Sequence, residues 1–221
     1  MIVPFKSGRV VDHDPKSLEY KVPLDAEIKT VLWEHKAPIL NQASSNACVG
    51  FSFAQMLNTE HFNDVRTKAK SADYVDDQFA YKIYQSATEI DEFPGQFPKE
   101  DTGSSGLAMC KVAHRAGWIS EYQTAKGWEE FQKAIQTAPV YVGTFWTNQM
   151  NQPDNDGFVK PFGTELGGHQ YLVIGLNVEE EYITILNSYS NKFGINGRVK
   201  MKFNHFSELL HNGGDAMIIK P

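Results

Sequence analysis

The chain has 221 residues, of which 41% are hydrophobic and 12% aromatic, and its formal net charge is -6. This size and apolar content suit one globular domain with a core and exclude a fibrous or disordered chain. The acidic balance disfavours nucleic acid and anionic membrane surfaces as partners. Apolar stretches such as 171–176 are far shorter than the roughly 18 residues that a membrane span needs. We therefore expect neither nucleic acid nor a membrane as a partner.

The N-terminal residues and the cysteine content indicate the cellular compartment. Lys6, Arg9 and Asp12 interrupt any apolar core that a secretory signal would require. The chain has two cysteines, Cys48 and Cys110, and one disulfide at most is not the framework of a secreted scaffold. We expect a protein that is cytoplasmic when synthesised, with both thiols reduced.

Helical patterns dominate the first half of the chain. Residues 1–40 are rich in Pro, Lys and Asp and have little periodicity, which predicts an extended arm with a short strand at 19–22. Apolar residues at helical spacing then predict one helix over 47–62 and a second over 72–87, with Ser71 as its cap. A third helix is expected between the cap-forming stretch at 102–105 and Gly117.

Strand patterns dominate the second half. A short helix is predicted at 128–137, and it is followed by runs typical of strands at 140–145, 170–176, 182–186, 198–203 and 216–219. Helices that precede strands, rather than alternating with them, favour an α+β fold with an antiparallel sheet.

Cys48 stands where the helix-breaking stretch 41–46 gives way to the first helical pattern. A sulfur at a helix N-terminus is favoured as the thiolate by the helix dipole. Buried cysteines are also common as small apolar core residues, so Cys48 alone does not identify an active site. Its significance depends on the residues that accompany it.

Three sequence blocks together resemble the papain family of cysteine peptidases. Residues 42–48, from Gln42 to Cys48, are similar to the family's Gln-Gly-x-x-x-x-Cys entrance to the active-site helix. Residues 169–175 begin with His169 and resemble its histidine block, an apolar strand with a glycine six positions after the histidine. Residues 187–201 begin with Asn187 and resemble its Asn-Ser-Trp-Gly-x-x-Trp-Gly-x-x-Gly block. The order and spacing fit without a gap.

The resemblance implies a fold and a set of catalytic roles. The fold would be two-lobed and papain-like over residues 1–221, with the N-terminal arm, a mainly helical lobe at about 41–120 and a mainly β, barrel-like lobe at about 121–221. Cys48 would be a thiolate nucleophile, His169 its proton partner, Asn187 the residue that orients the imidazole, and Gln42 an oxyanion-hole donor. No cofactor and no metal are expected.

The resemblance also implies that substrate lies in the cleft between the lobes. An extended peptide or protein segment would meet the backbone of Gly103 and Ser104 on one wall and of Gly168 on the other, near Tyr189. Only 47 residues precede Cys48, so we expect no long helical propeptide and a bacterial or phage type of enzyme.

Some residues depart from the family pattern. Ala43 replaces a glycine, Ser45 a cysteine, Val49 a tryptophan, and Tyr189 the tryptophan that shields the contact between histidine and asparagine. Two alternatives to a general peptidase therefore stay open. One is a lytic endopeptidase acting on cell-wall peptides, and the other is a peptidase-like binding protein with reduced turnover.

Overall fold

The structure is a computed structural model that describes residues 7–12, 27–70 and 73–221. The predicted strand at 19–22 and the predicted Ser71 cap lie outside these residues. None of the helices in the described ranges combines the length and the apolar content that crossing a membrane requires.

The first half of the described chain contains four α-helices: α1 (Cys48–Leu57), α2 (Asn63–Lys70), α3 (Asp77–Ile90) and α4 (Gly106–Arg115). The three predicted helices are confirmed with shifted ends. Helix α3 begins at Asp77 because the Asp76 side chain accepts a hydrogen bond from the Phe79 N–H. Ser105 caps α4 in the same way. The sequence did not predict α2, because that helix is polar and lacks an apolar stripe.

The second half of the described chain contains most of the strands. Strand β1 (Val31–Leu32) lies in the first half, before α1, and the second half contains, in chain order, β2 (Glu121–Ala125), α5 (Gly127–Thr137), β3 (Val140–Thr147), β4 (Glu165–Asn177), β5 (Tyr182–Leu186), β6 (Arg198–Lys202), α6 (Phe203–His211) and β7 (Asp215–Lys220). The strands form one antiparallel sheet in the order β2-β7-β3-β4-β5-β6, and β1 also pairs with β4. The predicted α+β class is confirmed.

The sheet is open, which corrects the barrel-like lobe expected from the sequence. Strands β2 and β6 stand at its two ends within the described residues. The outer edge of β6 is taken by residues 157–159: the Val159 N–H donates to the Lys200 carbonyl at 2.9 Å, and the Lys200 N–H donates to the Gly157 carbonyl at 2.8 Å. Because these backbone groups are already bonded, β2 has no partner edge on which to close a barrel.

Two buried hydrophobic clusters lie on the faces of the sheet. One joins α1, α3 and α4 to the sheet, and the other joins α5 and α6 to it. Helix α1 is fixed to the sheet by two buried hydrogen bonds: Ser52 Oγ donates to the Gln170 carbonyl at 2.7 Å, and the Tyr141 hydroxyl donates to the Val49 carbonyl at 2.8 Å. These bonds hold the start of α1 against β3 and β4. The division into lobes near residue 120 stays a prediction.

Candidate active site

Cys48 is the first residue of α1 and is completely buried. Ala47 precedes the helix and provides no side-chain cap. The N–H groups of the first turn are therefore available to other acceptors. The chain reaches Cys48 through the turn at 41–46, in which Ala43 has a φ of 51°. That is the left-handed region that glycine adopts most easily, which explains why this position suits the glycine of the family pattern.

His169 and Asn187 are joined by a hydrogen bond. His169 lies within β4, Asn187 directly follows β5, and both are completely buried. The distance between His169 Nε2 and Asn187 Oδ1 is 2.9 Å. Asn187 Oδ1 also accepts from the Ser188 N–H at 2.8 Å. Because Oδ1 can only accept, Nε2 carries the hydrogen, and in the neutral ring Nδ1 keeps its lone pair.

Two aromatic rings enclose the imidazole of His169. The Tyr189 ring stacks on it with centroids 5.0 Å apart and planes inclined at 25°. Trp146 meets it edge to face at 4.9 Å. Tyr189 is only 2% exposed, and its stacked ring can shield the histidine from water. The predicted contact of Tyr189 with substrate stays a prediction. Sequence reasoning missed Trp146, since a tryptophan in a strand run has no feature that marks it as a site residue.

Gln42 is completely buried and held on both sides of its amide. Its Nε2 donates to the Ser45 carbonyl at 2.9 Å, and its Oε1 accepts from Ser188 Oγ at 2.6 Å. The first bond fixes which end of the amide carries the hydrogens, because a backbone carbonyl can only accept. Ser188 directly follows Asn187, so this bond connects Gln42 to the segment that carries Asn187. The sequence did not reveal this connection.

The arm residues 7–12 lie across this site. The Arg9 N–H donates to the Gly168 carbonyl at 2.8 Å, the Ser104 N–H donates to the Gly8 carbonyl at 2.9 Å, and the Val10 N–H donates to the Ser104 carbonyl at 2.9 Å. A Cβ at Gly103 would overlap the Gly8 carbonyl, and one at Gly168 would overlap the Arg9 carbonyl. The predicted peptide-binding backbone is therefore in contact with an extended segment of the chain itself.

Burial determines the protonation states of the Cys48 thiol and the His169 imidazole in this arrangement. It raises the pKa of the Cys48 thiol, although the backbone N–H groups of Gln170 and Gly8 and the charge of Arg9 oppose the rise. It lowers the pKa of His169 to about 4, against the opposing effect of the bond to Asn187. Thiol and imidazole are thus neutral at pH 7 here. This differs from the thiolate that the resemblance implies, and the cause is the burial of both groups.

Arg9 and Asp215 form a buried ion pair next to this site, and each side chain is 2% exposed. No sequence motif marks either residue, because 206 positions separate them and only the fold brings them together.

Cys110 lies on α4 and is completely buried, with its sulfur 3.5 Å from Met217 Sδ. Burial also raises the pKa of this thiol well above its usual value. The part of the chain that the structure describes holds no cluster of three or more His, Cys, Asp or Glu side chains suited to a metal ion.

The solved structures to which this chain is similar include several cysteine proteases. Xylellain, a cysteine protease from Xylella fastidiosa, has 17% identity and a TM-score of 0.63, and the match covers 100% of this chain and 98% of that one. The procathepsin B S9 of Trypanosoma congolense has 13% identity and a TM-score of 0.52 over 98% of this chain and 86% of its own. The Carica candamarcensis cysteine protease CMS1MS2, in complex with E-64, has 15% identity and a TM-score of 0.51 over 87% and 98%.

No protein-family model and no curated protein sequence matches the chain. The structural likeness spans the whole chain, and it includes the helix that begins at Cys48 and the sheet that carries His169. The chain therefore has the fold of the papain-like cysteine peptidases.

Proposed function

We propose that the protein is a cysteine peptidase that hydrolyses peptide bonds through a Cys48 thiolate. The observation that carries this proposal is the buried hydrogen bond between His169 and Asn187, together with the position of Cys48 as the first residue of α1. The Cys48 sulfur lies within hydrogen-bonding reach of the N–H of Gln170, the residue that follows His169. A thiol, an imidazole and an orienting amide in this order form the Cys-His-Asn variant of a nucleophilic triad.

The first step is transfer of the thiol proton to His169. Nδ1 is the acceptor, because Nε2 donates to Asn187, and Nδ1 makes no hydrogen bond within the described residues. The transfer requires residues 7–12 to leave, since exposure to water and substrate removes the burial that now favours both neutral forms. Catalytic hydrogen bonds are often formed only in the substrate complex.

The second step is attack of the Cys48 sulfur on the substrate carbonyl. The negative charge on the carbonyl oxygen would be held by the Cys48 N–H at the start of α1 and by the Gln42 side chain. The Gln42 amide has two hydrogens, and one of them donates to Ser45, which leaves the second for the oxyanion. A donor of this kind typically contributes about 3 kcal/mol to transition-state stabilisation.

The remaining steps release the two products. The His169 imidazolium gives its proton to the leaving amine as the carbon–nitrogen bond breaks, which leaves an acyl group on Cys48. Neutral His169 then takes a proton from water, and the hydroxide attacks the thioester and frees the carboxylic acid product. Cys48 recovers its proton at the end of the cycle.

The experiment that tests the proposal is labelling of the full chain with an epoxysuccinyl peptide of the E-64 type, followed by mass spectrometry of the modified peptide. We expect one adduct on Cys48, together with hydrolysis of unstructured peptides. Cys48→Ala should lose both, whereas Cys110→Ala is the matched control that keeps both. Equal hydrolysis by Cys48→Ala, or a folded protein with no adduct on Cys48, contradicts the proposal.

The same assay distinguishes the two alternatives. Hydrolysis of peptidoglycan peptides in preference to ordinary peptides would identify a lytic endopeptidase. Labelling of Cys48 with no turnover of any peptide would identify a peptidase-like binding protein. We propose the general peptidase first, and the support for this order is that the extended arm makes backbone hydrogen bonds with Ser104 and Gly168.

A further inference from the structure

The side chain of Asp101 joins α3 to the turn that leads to Cys48. One carboxylate oxygen accepts from the Tyr84 hydroxyl at 2.8 Å, and the other accepts from the Asn46 N–H at 2.9 Å. The Asn46 side chain also donates to the Asp101 backbone carbonyl. Asp101 is half-buried, and hydrogen bonds to a charged acceptor are stronger than those between neutral groups. These bonds therefore connect the loop before α4 to two other parts of the chain.

The hydroxyl of Tyr84 extends this connection to the wall at 103–104. Tyr84 is completely buried, and its oxygen accepts a hydrogen bond from the Gly103 N–H at 3.0 Å. Burial and the neighbouring Asp101 carboxylate raise the pKa of Tyr84, so the hydroxyl keeps its proton and donates it to Asp101. The next residue, Ser104, makes two backbone hydrogen bonds with the arm. Tyr84 thus fixes the segment that holds the arm.

The other end of the connection contacts the arm as well. Asn46 lies two residues before Cys48, and a Cβ at Gly8 would overlap the Asn46 carbonyl. The Gly8 carbonyl also accepts from the Ser104 N–H at 2.9 Å. Gly8 therefore contacts both of the segments that Asp101 holds together.

This connection depends on hydrogen bonds, because both cysteines of the chain are free thiols. Position 45, where the family pattern has a cysteine, is a serine. The turn at 41–46 is also held from its other side: the Gln42 N–H donates to the Ser188 carbonyl at 3.0 Å, and Ser188 Oγ donates to Gln42 Oε1. Loss of the Asp101 bonds should therefore release the wall and leave Gln42 in place.

We propose that Asp101 and Tyr84 are positioning residues, which hold the wall formed by Gly103 and Ser104 at a fixed distance from Cys48. A peptide that lies along this wall then has its carbonyl held at the sulfur, because binding away from the reacting bond orients a substrate. Both residues act through the wall and not on the reacting atoms. This inference rests on the proposed peptidase function and adds the residues that couple the wall to the nucleophile.

The first test compares two substrates in each variant of the full chain: an extended peptide, which lies along the wall, and p-nitrophenyl acetate, which is too small to reach it. We expect Tyr84→Phe to lower the ratio of the two kcat/KM values about 10-fold, because the hydroxyl makes two hydrogen bonds, one of them to a carboxylate. The fraction of molecules closed by the arm reduces both values equally and cancels in the ratio. An unchanged ratio in folded Tyr84→Phe overturns the proposal.

A second variant, Asp101→Asn, covers the case in which Tyr84→Phe does not fold. An amide has one acceptor oxygen where the carboxylate has two, so we expect the ratio to fall about 5-fold. If the two residues act as one unit, the double variant has a ratio no more than about 2-fold below that of Tyr84→Phe. An unchanged ratio in Asp101→Asn, or losses that multiply in the double variant, contradict the proposal. Tyr74→Phe, which removes an exposed hydroxyl, is the matched control and should keep the wild-type ratio.

Alkylation of Cys48 by iodoacetamide separates this inference from the proposed function. The reagent is too small to need the wall, but it reaches the sulfur only when residues 7–12 leave. We expect Cys48 in Tyr84→Phe and in Asp101→Asn to react at least about 3-fold faster than in the wild type, even if no substrate is hydrolysed, because a released wall holds the arm less tightly. Cys110 is completely buried and should stay unmodified, which shows that the variants are folded. A wild-type rate in both variants overturns the inference, whether or not the protein is a peptidase.

Discussion

The imidazole of His169 is held by one hydrogen bond and two aromatic rings, and each of these has a separate consequence. The bond to Asn187 fixes the tautomer, and the rings of Tyr189 and Trp146 exclude water from that bond. Tyr189 can serve here in place of tryptophan because a stacked ring needs only a flat apolar face. The altered residue at 189 is therefore compatible with an intact histidine–asparagine pair.

Replacing Asn187 tests the orienting role. We expect Asn187→Ala to lower kcat/KM about 100-fold, because the imidazole loses the partner that fixes Nε2 as the protonated nitrogen. Asn187→Asp is the matched control. It keeps the acceptor oxygen, so we expect it to retain more than a tenth of wild-type activity with a pH profile moved upward, since a carboxylate favours the imidazolium. If the two variants lose activity equally and show the same pH profile, Asn187 has no orienting role.

The site residues that were predicted from the sequence lie in short sequence blocks, whereas the additional contacts around the site join distant parts of the chain. Gln42, Cys48, His169 and Asn187 belong to blocks whose spacing is constrained along the chain, so a linear pattern can find them. Trp146, Ser188 and the pair Arg9–Asp215 act through contacts between distant segments. Such contacts produce no periodic pattern along the sequence, so they could not be predicted from it.

Two segments of the chain lie next to Cys48. The turn at 41–46 delivers the chain to the start of α1 and places Ala43 at a φ of 51°. The arm residues 7–12 cover the site from the other side and bond to residues 104 and 168. The sequence predicted an extended arm in this region but gave no sign that the arm bonds to residues 104 and 168, because an extended segment can satisfy its backbone on any exposed edge.

Replacing Ala43 by glycine should stabilise the protein. A left-handed conformation costs a non-glycine residue about 1–2 kcal/mol, and the greater freedom of glycine in the unfolded chain offsets about 0.4–1 kcal/mol of the gain. We expect the free energy of unfolding to rise by about 0.5–1 kcal/mol in urea titrations. Ala116→Gly is the control: Ala116 is also exposed but has a φ of -75°, so the same substitution there should destabilise.

Removing the Arg9 side chain should open the site. In Arg9→Ala the closed form would contain a buried Asp215 without its cation, and breaking such a pair is strongly unfavourable. We expect Cys48 to react with the epoxysuccinyl probe at least about 10-fold faster than in the wild type. Arg115→Ala, which removes an exposed arginine at the end of α4, is the matched control and should react at the wild-type rate. An unchanged rate in Arg9→Ala would show that the arm does not limit access.

At the scale of the whole molecule, the fold buries two histidines in the neutral form. His169 lies within β4, and its pKa is lowered to about 4 by burial. The pKa of His35 is likewise lowered to about 4, by burial and by the nearby charge of Arg198, against a hydrogen bond to Gln55 that favours the charged form. Both groups exchange protons near pH 6.5 when the chain is unfolded.

These histidines predict a loss of stability in mild acid. Between pH 6.5 and 4 the unfolded chain binds more protons than the folded one, so the free energy of unfolding falls as the pH falls through this window. Above pH 6.5 both histidines are neutral in the folded and the unfolded chain, and this loss of stability no longer occurs. Each histidine can contribute up to about 1.4 kcal/mol per pH unit. Urea titrations from pH 4 to 8 measure the slope, which His35→Gln should reduce. A stability that is constant over this range, or a slope unchanged in His35→Gln, contradicts the two pKa directions.

The sequence by itself determined the α+β class, the three long helices of the first half, most of the strands, and four of the residues around the site. It could do so because periodicity, caps and motif spacing are local along the chain. Only the tertiary structure decided that the sheet is open, that residues 7–12 close the site, that Cys48 and His169 are neutral beneath them, and that Arg9 meets Asp215. The reason is that these features come from strand register, burial and charge pairs between segments far apart in the chain, and none of these leaves a pattern in neighbouring residues.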